Sequence, residues 1–266
     1  MGDQLNFSRV IKKYLEINQY QIYKDKHESE LKSLINFLRP IEFPLIRIGG
    51  NLDGSYLLPD CLEGIELCFS PGSNKVWDFE KELLEKYKIR SAIIDNESNK
   101  PENLPPGITY TSSWLGLDDD ATYTSFESWA NKNSTKFDSD LMLQMDIEGD
   151  EYKVLFNMPN SVLKRFRVLT IEFHYSSNFK NSELYLNYYE VIFSRLRKNF
   201  TVVHFHGNNC CGTWKYRNFE LPNVFELTLL RNDWVPADSQ FADIPHHLDV
   251  DNVENNPTLL FNFPRN

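Results

Sequence analysis

The stretch DLMLQMDIEGDE, residues 140–151, decides the fold. A short apolar run from Leu141 to Ile147 drives straight into Asp146, Glu148, Gly149, Asp150 and Glu151. Mixed Leu, Met and Ile at that length suit a strand buried on both faces, as in a parallel sheet. The acids then fall at the strand's carboxyl end, where open α/β sheets place their ligands. Asp150 and Glu151 read as solvated acids at the start of a helix, favoured there by the helix dipole. Asp146 has apolar neighbours and reads as functional, because an unpaired carboxylate is costly to bury.

Upstream, Ile65 to Phe69 forms an expected strand that runs into the turn Ser70-Pro-Gly-Ser-Asn74. A helix over roughly 76–87 follows, and Ile89 to Ile94 is the next strand, ending at Asp95. Strand, turn, helix, strand and terminal acid is how a βαβ unit holds a nucleoside, the acid taking ribose hydroxyls ~20 residues after the turn. A single glycine, Gly72, is far from the G-x-G-x-x-G of dinucleotide sites. Ile108 to Thr111 predicts another short strand ending near Ser113 and Trp114. The segment RIGGNLDGSYLL, residues 47–58, reads either as a hairpin or as a loop closing over a pocket with Arg47 and Asp53 reaching inside. Residues 1–44 predict an amphipathic helical cap, stopped by Pro40 and Pro44.

Downstream, Tyr152 to Met158 predicts a helix. Arg167 to Phe173 predicts a strand ending in Glu172 and His174, and residues 183–198 an amphipathic helix. Phe200 to Phe205 predicts a strand followed by His206 and Asn208. Phe225 to Leu230 is the last strand, and from Trp234 the chain reads as a surface-hugging extension. Strand–helix alternation with a terminal strand pair implies an α/β fold, a mostly parallel sheet with helices on both faces. Asp146, Glu172, His174, His206 and Asn208 would then line one rim, with residue types suited to a general base, a divalent-cation site, or both.

The 266 residues carry a formal net charge of -10, with 41% apolar and 14% aromatic side chains. That allows a substantial core and argues against a general nucleic-acid binder, which needs clustered Lys and Arg. Cys61, Cys68, Cys210 and Cys211 lack zinc-type spacing, and the vicinal pair reads as reduced, implying an intracellular protein. Residues 1–20 lack the pattern of a secretory signal, and no apolar run approaches the ~20 residues of a membrane span.

In this order the motifs RIGGNLDGSYLL, CFSPGSN, MDIEGDEYKVL, IEFH, HFHGNN and LPNVFELTLLR resemble the FkbM-like methyltransferases. The resemblance covers roughly residues 45–232, leaving the cap and an extension over 233–266 outside it. It implies a Rossmann-like methyltransferase fold with a seven-stranded sheet and an antiparallel terminal strand. It also implies S-adenosylmethionine as cofactor and O-methylation of a small-molecule or glycan acceptor, most often a sugar hydroxyl. Carried over by position, Ser70, Pro71, Gly72, Asp95, Ser113, Trp114 and Asp146 would bind the cofactor. His174, Asp146 and His206 would carry the chemistry, and Arg47, Asp53, Glu148 and Asn208 would meet the acceptor. Asp146, Glu172 and His206 would hold Mg or Mn, should the reaction use one. The turn is SPGSN rather than the Gly-rich form of the family. Two rivals are an NAD(P)-dependent enzyme on the same sheet and a non-catalytic binding module; retention of the rim acids and histidines argues against the second.

Overall fold

The computed structural model describes the chain except Met1 and residues 51–53, 97, 99, 135, 137, 262 and 264–266, and for 1–18 and 20 it describes the backbone alone. Asp53 therefore lies outside the described residues. Strands in chain order are β1 (Leu45–Ile48), β2 (Tyr56–Pro59), β3 (Leu67–Pro71), β4 (Arg90–Asp95), β5 (Ile108–Ser112), β6 (Trp114–Gly116) and β7 (Tyr123–Ser125). They continue with β8 (Leu141–Met145), β9 (Phe166–Phe173), β10 (Phe200–Gly207), β11 (Thr213–Tyr216), β12 (Phe219–Pro222) and β13 (Phe225–Arg231). The helices that matter below are α1 (Gly2–Phe37), α2 (Asp78–Glu82), α3 (Phe126–Asn133), α4 (Glu151–Asn157), α5 (Asn160–Leu163), α6 (Ser182–Leu184) and α7 (Glu190–Asn199).

Seven strands form one sheet in the order β10-β13-β9-β8-β3-β4-β5. Six point the same way; β13 inserts antiparallel between β9 and β10. This is the expected Rossmann-like α/β fold. β8 sits at its centre, and every one of its five residues is buried, as the apolar run demanded.

Because side chains alternate across a strand, the two faces have separate cores. Leu67, Phe69, Leu141, Leu143, Leu169 and Ile171 pack with α1, α3, α4 and α7 through Leu31, Leu34, Trp129, Leu155 and Phe193. On the other face Cys68, Met142, Val168 and Leu230 pack against α2 and the β1–β2 hairpin through Phe79, Ile48, Tyr56 and Leu58. Residues 45–59 are thus a hairpin, in register Ile48↔Tyr56, which lies over the sheet.

The hairpin face turns polar toward one end. In register, Gln144, Thr170, Thr228 and His204 make one row across β8, β9, β13 and β10; Glu172, Glu226 and His206 make the next. Sequence spacing could place Glu172 and His206 on one rim; only strand order puts Glu226 between them.

One expectation about the thiols is overturned. Cys210 and Cys211 are joined in a vicinal disulfide, while Cys61 and Cys68 are free. The pair sits in the tight turn after β10, where Cys210 N donates to Asn208 Oδ1 at 2.9 Å and Asn223 Nδ2 to Cys211 O at 2.8 Å. The turn brings neighbouring sulfurs together, which spacing rules for distant cysteines do not anticipate.

Candidate active site

A cleft with a volume of about 670 Å³ opens at the carboxyl ends of β3, β4 and β8. Pro71, Gly72, Asp95, Trp114, Asp146 and Glu148 line it, all six of them expected there. The size suits a nucleoside-sized ligand, since small-molecule sites run from about 300 to 1,000 Å³.

Its geometry comes from two close approaches. At Gly72 (φ 85°) a Cβ would collide with the carbonyl oxygen of Asp146, so only glycine lets the β3 turn meet the β8 loop. Asp95, at the end of β4, accepts from Ser73 N at 2.9 Å and Asn74 N at 3.2 Å through one oxygen, and from Asn96 N at 2.7 Å through the other. The acid expected on a ribose thus also pins the turn that faces the ligand. Trp114 is 43% exposed and lines the same cleft. Ser113 does not line the cleft; its hydroxyl donates to Thr122 O at 3.0 Å, holding the β6–β7 ribbon.

Ser70 is also withdrawn from the cleft. It is fully buried, in contact with Glu80 Oε1 and 2.5 Å from Gln144 Oε1, and Gln144 Nε2 donates to the Tyr56 hydroxyl at 3.4 Å. Glu80, Gln144 and Tyr56 form the polar floor. Burial pushes the Glu80 carboxyl up, and burial together with the charge of Asp146 pushes the Tyr56 phenol well up. Glu80, Gln144 and Tyr56 escaped sequence reading because each lies inside an apolar pattern on a helix or strand.

At the mouth, the loop after β8 carries Asp146 and Glu148, and His174 follows β9. Glu148 takes a left-handed backbone, φ 58°, followed by Gly149 at φ 112°. Glu151, read in sequence as a solvated helix-start acid, is fully buried. Its Oε1 accepts from Ile147 N at 3.1 Å and Gly149 N at 3.0 Å and faces His174 Nδ1 at 2.9 Å. It therefore ties the acidic loop to the histidine. Burial lowers the His174 ring, but Glu151 and Asp146 raise it to about 9.

Not all expected members join this group. His206 faces the other way: its Nε2 lies 3.1 Å from Asn252 Oδ1 and its Nδ1 3.6 Å from Asp249 Oδ2. Glu172 Oε1 accepts from Asn208 Nδ2 at 2.8 Å. Its carboxyl is pushed up to about 9 by burial and by the charges of Asp146 and Glu226. The metal trio Asp146, Glu172 and His206 is therefore not assembled, and Asn208 supports Glu172 rather than an acceptor. Among the described residues the cluster with ligand spacing is Asp146, Glu148 and His174. Arg47 also leaves the cleft: it donates to Leu248 O at 2.6 Å and to Ser55 Oγ at 2.9 Å, gripping the C-terminal segment.

The cleft's charge is one-sided. Asp78, Glu80, Asp95, Asp146, Glu148 and Asp150 line it, and no Lys, Arg or His among the described residues does.

No protein-family model matches the chain. No curated protein matches it either. Among solved structures it is similar to M. capricolum TrmK in complex with S-adenosyl-homocysteine (12% identity, TM-score 0.37, covering 70% of this chain and 68% of that one). It is also similar to a precorrin-6y C5,15-methyltransferase from Geobacter metallireducens (9%, TM-score 0.36, 64% and 83%). A third is M. jannaschii TYW2 in complex with AdoMet (11%, TM-score 0.31, 64% and 70%). Likeness at this level assigns no activity, so a functional reading has to stand on the cleft itself.

Proposed function

We propose that this protein is an S-adenosylmethionine-dependent O-methyltransferase acting on a hydroxyl of a sugar or glycan. The observation that carries the reading is the charge of the cleft. A nucleoside-sized cavity at the carboxyl ends of a parallel sheet is lined by six acidic residues, the buried Glu80 among them, and by no Lys, Arg or His among the described residues. Pyrophosphate cofactors need helix amides, Arg or Lys around their phosphates, so NAD(P) is disfavoured here. A nucleoside without phosphate, carrying a sulfonium and an ammonium, suits such a wall.

The cofactor supplies a methyl carbon that passes to the acceptor oxygen while the carbon–sulfur electron pair returns to sulfur. The chain's part is to hold and align. Asp95 and the Gly72 turn face the nucleoside, and Trp114 presents a ring for the base. Asp146 stands at the mouth, where the reacting atoms must meet, since transfer tolerates little misalignment. The acceptor hydroxyl loses its proton to solvent through the Asp146–His174 side of the mouth. Support for a sugar acceptor is the half-exposed ring of Tyr123, which lines the cleft along with the carboxylates of Glu148 and Asp150. Rings stack on sugar faces and carboxylates accept their hydroxyls.

Calorimetric titration with S-adenosylhomocysteine, run beside NAD+, tests the reading. Micromolar binding of the first and none of the second is expected. NAD+ binding alone would transfer the cleft to a dehydrogenase, and silence with both would leave a binding module.

A further inference from the structure

We propose that Asp146, Glu148 and His174 form a site for one divalent transition-metal ion, Mn2+ in preference to Mg2+ or Ca2+, at the mouth of the cleft. One ligand atom from each lies within 4.8 Å of the others. His174 Nε2 is 3.9 Å from Asp146 Oδ1 and 3.6 Å from Glu148 Oε2. Those gaps are too long for hydrogen bonds. They match donors around one ion, because atoms bound at ~2.0–2.2 Å stand about 3–4 Å apart.

The histidine supplies a second observation. His174 is only 8% exposed, and its Nε2, turned toward the two carboxylates, has no hydrogen-bond partner among the described residues. The opposite nitrogen faces the buried Glu151 carboxylate at 2.9 Å. An ionised carboxylate only accepts, so Nδ1 carries the hydrogen, and an ion entering the gap would displace the proton from Nε2 and take its lone pair. A carboxylate behind the far nitrogen is the usual support of a metal-bound histidine. Glu151 also holds the amides of Ile147 and Gly149, so one residue aims the ring and shapes the loop that carries the other two ligands.

An imidazole with two carboxylates selects against Ca2+ and Mg2+, which favour all-oxygen shells. The Glu148 side chain is 85% exposed, so the ion would keep positions open to water or a hydroxyl, which a bound divalent ion acidifies.

The test uses Mn2+ alone with the full chain, following the electron paramagnetic resonance signal of the free ion. One saturable site in the micromolar range is expected, undisplaced by millimolar Mg2+ or Ca2+. Glu148→Gln, at an exposed position that leaves folding intact, and His174→Ala should each weaken it at least about tenfold. Glu151→Gln should weaken it roughly 10–100-fold through the ring it aims, and Asp118→Asn should leave it unchanged. The site is overturned if Mn2+ fails to saturate below millimolar, or if Glu148→Gln and His174→Ala bind it as the parent does. Because no nucleoside is present, this outcome is separate from that of the S-adenosylhomocysteine titration.

Discussion

Two histidines stand near the ends of β9 and β10, which β13 separates in the sheet, and face different worlds. His174 follows β9, inside the sheet, and lies behind Asp146 and Glu148, which line the cleft. His206 lies on β10, the edge strand, and is covered by the C-terminal segment. There His204 Nε2 meets Asp249 Oδ1 at 2.7 Å, Asn252 Nδ2 donates to Glu226 Oε1 at 3.2 Å, and Arg47 grips the Leu248 carbonyl. Both rings are raised to about 9 by carboxylates that outweigh burial: Glu151 and Asp146 for His174, Asp249 and Glu226 for His206. The same shift therefore marks a candidate site in one place and a structural clamp in the other. What separates them is their neighbours: both are nearly buried, but His174 stands beside Asp146 and Glu148 of the cleft lining, and His206 beside the C-terminal segment. A perturbed pKa points to function only together with such a setting.

The largest expected effect separates the two rings directly. His174→Ala should lower methyl transfer by roughly 10²–10⁴-fold, the range for a lost acid–base or ligand group. His206→Ala should leave the rate within a few-fold; equal losses in a single-turnover assay would mean that both rings serve the reaction. Next, Asp249→Ala should destabilise the fold by about 3 kcal/mol, because it strands two buried histidines. The readout is the denaturant midpoint together with faster proteolysis within residues 246–253, and S-adenosylhomocysteine affinity should hold. A smaller loss is expected on the cleft side from Gly72→Ala. Strain at a positive φ costs about 1–3 kcal/mol, so cofactor affinity should fall roughly 10–100-fold while thermal stability changes less than in the tail variant.

The mildest test is pH. The folded pKa of His206 lies above its unfolded value, so its charged form contributes stability that is complete below about 6.5. That contribution is lost as pH rises through about 9. Asp249 is depressed by its histidine partners, so its share is present above about 3.9 and lost only in stronger acid. Hydrogen-exchange protection across residues 246–253, taken relative to the intrinsic rate at each pH, should fall between pH 6.5 and 9 in the parent, and little in Asp249→Ala. A pH-independent tail would mean that packing, not charge, holds it.

Much of the cleft was legible along the chain. The βαβ unit from β3 to β4 announced Gly72 and Asp95 because turn chemistry and the terminal acid are local features. Asp146 was legible because an apolar run ended in it. Glu151 was misread because the helix dipole explains an acid at that position equally well, and only the fold shows it fully buried against His174. Glu226 gave no signal at all, since it sits within an apolar strand and acquires its meaning from the neighbours β9 and β10. Arg47 and Asn208 were polar residues next to motifs, and spacing cannot say which way a side chain turns.

By itself, then, the sequence determined the layers: a buried central strand, alternating helices, and a ligand end marked by acids, all consequences of period and local backbone chemistry. Only the tertiary structure decided which rim residues meet. Strand order is set by packing between distant segments, and the insertion of β13 between β9 and β10 moved His206 one strand farther from Asp146. The C-terminal segment then covered the outer histidine and left the inner one beside the cleft acids Asp146 and Glu148, a choice made by contacts more than 40 residues apart in the chain.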